Sequence, residues 1–335
     1  MQEILDIQKP DLASFTGGEI QPAHHFATAP AVLPKLLVRS ILVPFDFSKT
    51  SVEILRGIVP FAKSTGASIH LLHVIEPSLS SDDSHGRLDD ELADVSESML
   101  KIWAGRIVRG EARTFASTRI GLVVDEVISR AASIGGDLIV VGADGYHSPR
   151  AITLRSAAER ICRFAPCPTL IIPESCVQSF ARGFDGFPAS KWKHVLMPLD
   201  FSPASSLALK YAAAITIENR ADLTVVHSAR NWAGLPTHDR SLLSMREARR
   251  QQVQQWIRGE LNFQLPCKVT VRLGSSSLAS ILSEANQERS DLVVLPTRAG
   301  QWLQRFRMDS VTEGVLRHSP CPILSIQENI QSQEE

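Results

Sequence analysis

The chain has 335 residues, 44% hydrophobic and 21% charged, with 35 basic against 36 acidic side chains and a formal net charge of −1. That balance describes a globular protein of about two domains and excludes the strongly basic footprint of a dedicated nucleic-acid binder. No apolar run approaches the ~20 residues needed to span a bilayer, and the start, MQEILDIQKPDLASF, lacks the basic and apolar regions of a secretory signal. The five cysteines form no C-x-x-C pair. Cys167 and Cys321 each open an apolar strand pattern and read as small buried residues of a reduced, cytoplasmic protein.

Residues 1–36 hold Pro10, Gly17, Gly18, Pro22, Pro30 and Pro34 and read as a solvated extension. His24 and His25 have no partner cluster that would make them a metal site. The first packed element is the run 39–46, RSILVPFD, a strand ending in a proline and an acid. Ser48 is the N-cap of a helix with apolar Val52, Leu55, Ile58 and Val59; Pro60 predicts a kink or an early end, and Gly66 a C-cap. A second strand covers Ser68 to Ile75, and residues 77–87 form a loop. Leu88 to Val108 is helical, with Leu92, Val95, Met99, Ile102 and Trp103 on one stripe. A third strand is expected over Thr118 to Val124, and a helix over Asp125 to Ser133 ended by Gly135 and Gly136.

The strand Leu138 to Val141 then runs into Gly142-Ala143-Asp144-Gly145. A helix from Ser156 to Phe164, the turn Pro166-Cys167-Pro168 and a last apolar strand follow. Alternating strands and helices of this kind build a parallel sheet covered on both faces.

This whole pattern occurs twice. Pro44 and Pro198, Asp46 and Asp200, Ser48 and Ser202, His73 and His227, Asp137 and Asp291, Ser156 and Ser310, Glu159 and Glu313, and Cys167 and Cys321 are each 154 positions apart. One offset from first strand to last means a duplicated domain, because solenoid repeats recur every ~20–50 residues. The linker, near Cys176 to Trp192, is rich in Gly, Ser, Phe and Pro, and the polar residues after Gln327 read as a tail.

The residues at the loop after the fourth strand admit two readings. Gly142 and Gly145 either free backbone amides for a phosphate or merely turn the chain. Asp46 either contacts a ligand or caps the following helix. Ser156 with Glu159 forms an S-x-x-E capping box, and Ser310 with Glu313 repeats it. No Walker A run, G-x-S-x-G elbow or H-E-x-x-H motif occurs. His73 and His227 read as core or strand-end residues; Asp144 and His147 share a loop that could contact a metal-bound phosphate. No catalytic residue and no protein metal site is assigned.

Taken together, PFDFS and PLDFS after the first strand of each half, LLHV and VVHS ending the second, DLIVVG, and the closing S-x-x-E to P-C-P run carry a resemblance. Each half resembles a universal stress protein (UspA-type) domain, over residues 37–174 and 193–327, with 175–192 as linker and 328–335 as tail. The resemblance implies an α/β fold: two tandem doubly wound domains of the adenine-nucleotide alpha-hydrolase-like type. Each would hold a five-stranded parallel sheet, order 3-2-1-4-5. It implies that the halves pair as an internal pseudo-dimer, with homo-oligomers and further protein partners open.

ATP-binding members carry G-x-x-G, nine residues, then G-S or G-T. By matching position, the ligand residues would be Pro44, Asp46, Val74, Gly142, Gly145, Ser156 and Ala157. Arg155 replaces the third glycine and either obstructs the phosphate or pairs with it. In the second half the equivalents are Pro296, Ala299, Asp309 and Ser310, so a degenerate site is expected, although Arg298, Arg305 and Arg307 share that loop.

The expectation is a cytoplasmic stress-response protein with ATP, and Mg with it, in the first half only, and at most slow hydrolysis. The alternative is a nucleotide-independent tandem scaffold. Neither nucleic acid nor membrane is expected as a partner.

Overall fold

The computed structural model describes residues 33–34, 38–77, 84–143, 157–182, 192–229, 239–273, 276–297 and 310–328. The first half runs β1 (Ser40–Pro44), α1 (Lys49–Thr65), β2 (Ser68–Ile75), α2 (Ser84–Val108), β3 (Thr114–Ile120), α3 (Val123–Ser133), β4 (Leu138–Gly142), α4 (Ala157–Phe164) and β5 (Thr169–Ile172). A helix in the expected linker, α5 (Glu174–Ala181), follows. The second half repeats the order as β6 (His194–Leu199), α6 (Pro203–Asn219), β7 (Asp222–Ala229), α7 (Asp239–Leu261), β8 (Lys268–Leu273), α8 (Ser277–Gln287), β9 (Leu292–Thr297), α9 (Ser310–His318) and β10 (Ile323–Gln327).

All ten strands form one sheet, ordered β3-β2-β1-β4-β5-β10-β9-β6-β7-β8. Each half has the order 3-2-1-4-5 that the family resemblance implies, with parallel pairs. The halves meet through β5 and β10, which pair antiparallel with Leu170 opposite Leu324. Successive strand residues alternate between two cores. Ile41 and Val43 join the core under α1, α2, α5, α6 and α7, whereas Leu42 points to the core under α3, α4, α8 and α9. Burial on both faces is why the strands read as unbroken apolar runs.

Repeated acids set the start of each half. Asp137 Oδ2 accepts from the backbone N–H of Arg39 (2.8 Å) and Ser40 (2.9 Å), tying the start of β4 to that of β1. Asp291 does the same with Lys193 and His194 (2.8 and 3.1 Å). Burial pushes the Asp291 carboxyl up, against the pull of those two amides.

The structure departs from the sequence expectations in five places, the first being α2, which begins at Ser84 inside the expected loop 77–87. β3 begins at Thr114 rather than Thr118, since its edge-strand side chains are only partly buried and give no apolar signal; Val123 and Val124 belong to the buried face of α3. The stripe on α2 does not face the core. Leu92, Val95, Met99 and Ile102 are exposed, while Leu100, Ala104 and Val108 are buried and Trp103 packs beside them. Pro60 does not shorten α1, which matches α6 at 17 residues. Finally, α5 is ordered by tertiary contacts: Cys176, Val177 and Phe180 are buried, and the Cys176 thiol donates to Pro320 O (3.1 Å) across the junction.

Gly57 on α1 makes room for α5. A Cβ there would lie 2.3 Å from Phe180 Cδ1 and 2.8 Å from the Phe180 carbonyl oxygen. At the matching position of α6 stands Tyr211, itself buried. Its hydroxyl is pushed up to about 12 by burial, then by the Cys167 thiol and the Asp137 carboxyl, so the ring lies near the first half.

Candidate functional site

In the order 3-2-1-4-5 the chain direction of winding reverses between β1 and β4, and ligands of such sheets sit outside the strand carboxyl ends at that point. β1 and β4 pair at Ile41↔Leu138 and Leu42↔Ile139. Beyond that pairing a cleft opens, walled by Pro44, Asp46, Ser48, Gly142 and Ala157, with Ile161 at its base. The space these walls enclose is about 20 Å³, close to that of one water, so a larger ligand would sit at the mouth.

The turn after β1 is built with strain. Phe47 adopts φ +61°, a left-handed conformation that costs a bulky residue about 1–2 kcal/mol. This geometry accompanies an Asp46 Oδ1 that accepts from Ser48 N (3.0 Å). Ser48 in turn caps α1, its Oγ accepting from Ser51 N (3.1 Å). His73 steadies the turn: its Nδ1 bonds Phe45 O (2.8 Å) and its ring lies 4.8 Å from that of Phe47.

The second half repeats each part. Phe201 has φ +61°, Asp200 Oδ1 accepts from Ser202 N (3.0 Å), and His227 bonds Leu199 O (2.9 Å) with its ring 4.9 Å from Phe201. Burial holds His227 below the ordinary imidazole range, with Arg249 acting in the same sense. The paired histidines therefore act as strand-end latches.

Four of the eight candidate ligand residues, Pro44, Asp46, Gly142 and Ala157, come together in this cleft. Val74 lies on β2 with its side chain buried, outside the residues that wall the cleft. Gly145, Arg155 and Ser156, with Asp144 and His147, lie outside the described residues, as do Arg298, Ala299, Arg305, Arg307 and Asp309. None of the described residues lining the cleft is cationic.

In the second half Pro296 stands in β9 where β4 has Gly142, paired with Ile326 of β10, and it supplies no amide. α9 begins at Ser310 itself, and the carboxylate of Glu313 turns to Arg317 (2.9 Å), while Arg317 also approaches the buried Glu159 of the first half (3.8 Å). Arg317 thus pairs within α9 and reaches across to the first half.

The sequence reading missed Phe47 and Phe201. The available signal was the same aromatic residue after both Pro-x-Asp runs, in a tight turn without glycine. Burial pushes the Cys162, Cys167 and Cys321 thiols up to about 12, as befits core residues. Among the described residues no group of three or more His, Cys, Asp or Glu is placed to hold a metal, and no helix is long and apolar enough to cross a membrane.

Comparison with known proteins agrees with this architecture. A sequence model described as the universal stress protein family matches residues 38–173 and 191–327. A universal stress protein of Methanocaldococcus jannaschii is 26% identical over 140 residues, 41% of this chain and 82% of its own length. The crystal structure of a universal stress protein from Archaeoglobus fulgidus aligns over 88% of this chain and 97% of its own, with 21% identity and a TM-score of 0.61. A functionally unknown protein from Pseudomonas aeruginosa aligns over 88% of this chain and 94% of its own, with 17% identity and a TM-score of 0.54. Two matches to one family, spanning both halves of a sheet wound 3-2-1-4-5 on either side of its centre, lead to one conclusion: this chain belongs to the universal stress protein family.

Proposed function

We propose that the first half binds an adenine nucleotide, ATP by the family pattern, at the mouth of the cleft between β1 and β4, and that the second half does not. The observation that carries this reading is the convergence of Pro44, Asp46, Gly142 and Ala157 at the switch point of the first half, against Pro296 in the second. Asp46 would take the ribose or adenine end. Val74 would offer backbone groups to the base. Gly142, Gly145, Arg155, Ser156 and Ala157 would line the phosphates. Magnesium would enter with the phosphates and neutralise part of their charge.

Within this reading the protein acts in the cytoplasm, in the stress response, through conformation and partners rather than turnover. The test is nucleotide released on denaturing the purified protein, followed by calorimetric titration with ATP. One site per chain is expected, weakened at least tenfold by Asp46→Ala. Two equal sites, or none, would overturn it.

A second reading, the tandem scaffold, is favoured by α2, whose Leu92, Val95, Met99 and Ile102 recur at helical spacing and are exposed. A homotypic or heterotypic contact on that face would be lost in Val95→Glu with Met99→Glu, measured by sedimentation of the full chain.

A further inference from the structure

A cavity of about 230 Å³ lies away from both strand-end clefts, over the middle of the sheet. Its floor includes Leu170 and Leu324, which oppose each other across the β5–β10 ladder, so it sits on the internal twofold between the halves. Its interior is apolar and its mouth is not. Ser64 and Thr65 reach the mouth from the last turn of α1, and Glu218 and Asn219 from the last turn of α6.

The hydrogen bonds of these four groups decide what the mouth presents. The Ser64 and Thr65 hydroxyls both donate to Phe61 O (3.0 and 2.8 Å), and Asn219 Nδ2 donates to Ile215 O (2.8 Å). The hydroxyls have thus spent their only hydrogens, and they face outward as acceptors. Glu218 adds a carboxylate with no ion-pair partner among the described residues. Two helix C-termini converge there, each carrying partial negative charge. The nearest lysine of α1, Lys63, is paired with Glu111 (3.1 Å) and does not line the cavity.

We propose that this cavity is a binding site for a small apolar amine, a molecule with one ring or its aliphatic equivalent and one cationic nitrogen. The apolar part would fill the space over Leu170 and Leu324, and the ammonium would donate to the acceptors at the mouth. A dry apolar cavity of about 150 Å³ takes benzene, so a ring with a two-carbon arm suits this one. The site is independent of any nucleotide at the β1/β4 cleft.

The test is calorimetric titration of the full chain with 2-phenylethylamine, with 3-phenylpropionate as the charge-inverted probe and ethylamine as the probe without a ring. The amine is expected to bind saturably with a Kd on the order of 0.1–1 mM. The acid and ethylamine should each bind at least about tenfold more weakly. Glu218 is exposed, so Glu218→Gln should fold normally and weaken the amine about threefold to fivefold; Glu218→Lys should reverse the preference between amine and acid. Failure of the full chain to bind the amine, equal binding of amine and acid, or amine binding unchanged in both Glu218 variants would overturn the proposal.

Discussion

Where α1 has Gly57, α6 has Tyr211, and that exchange marks a difference between the two halves of the molecule. In the first half the glycine leaves a socket that Phe180 of α5 fills from outside the repeat. In the second half that position carries the buried Tyr211, whose ring lies near Cys167 and Asp137 of the first half. The first half therefore packs an extra helix against α1. The residues that match α5 in the second half, from Glu328 onward, read ENIQSQEE and have little apolar surface to bury.

The strongest test of this contrast is Phe180→Ala. It removes a fully buried aromatic side chain and should cost about 3–5 kcal/mol of stability in denaturant titration. A loss below about 1 kcal/mol would mean that α5 merely rests on α1.

Next come the twin acids. Asp137→Ala and Asp291→Ala each orphan two backbone N–H groups, at about 1.5–3 kcal/mol. The second should cost more, because Asp291 is buried whereas Asp137 is only partly so. The reverse order of thermal midpoints would break the comparison.

A smaller effect, of opposite sign, is expected at the helix ends. Gly66 closes α1 at φ +72°, whereas its counterpart Arg220 closes α6 at φ +54°, a conformation that strains a side-chain-bearing residue. Arg220→Gly should stabilise the chain by about 0.5–1 kcal/mol, read as a raised midpoint.

The smallest difference is in pH response. His227 titrates lower in the folded chain than in the unfolded one, mainly through burial, so its neutral form is the folded form. The unfolded chain takes up a proton near pH 6.5 while the folded chain resists until a lower pH. Its contribution to stability is present above that point and lost as the pH falls below it. Melting curves from pH 7 to 5 should show a steeper acid loss in the wild type than in His227→Gln; identical slopes would remove His227 from the account.

Much of this organisation was legible in the sequence for physical reasons. Apolar runs such as Leu138 to Val141 read as strands because both faces are buried. Ser48 and Gly66 announced helix ends because caps are local, satisfied by groups three or four residues away. The pairs such as Pro44 and Pro198, 154 positions apart, announced the duplication, while the strand order of each half came from the family resemblance. At the candidate site Pro44, Asp46, Gly142 and Ala157 could be nominated by position. Phe47 and Phe201 could not, since their importance is a backbone angle that no propensity for phenylalanine encodes.

What the sequence determined alone was therefore whatever depends on near neighbours or on self-similarity: element types, caps, the repeat and its family. Tertiary structure decided the rest. The start of β3, the outward stripe of α2 and the existence of α5 depend on which face meets a distant partner. The union of the halves through Leu170 and Leu324 and the cavity on their axis depend on pairing between strands far apart in the chain. Long-range pairing is set by the burial of many residues at once, and no short stretch of chain records it.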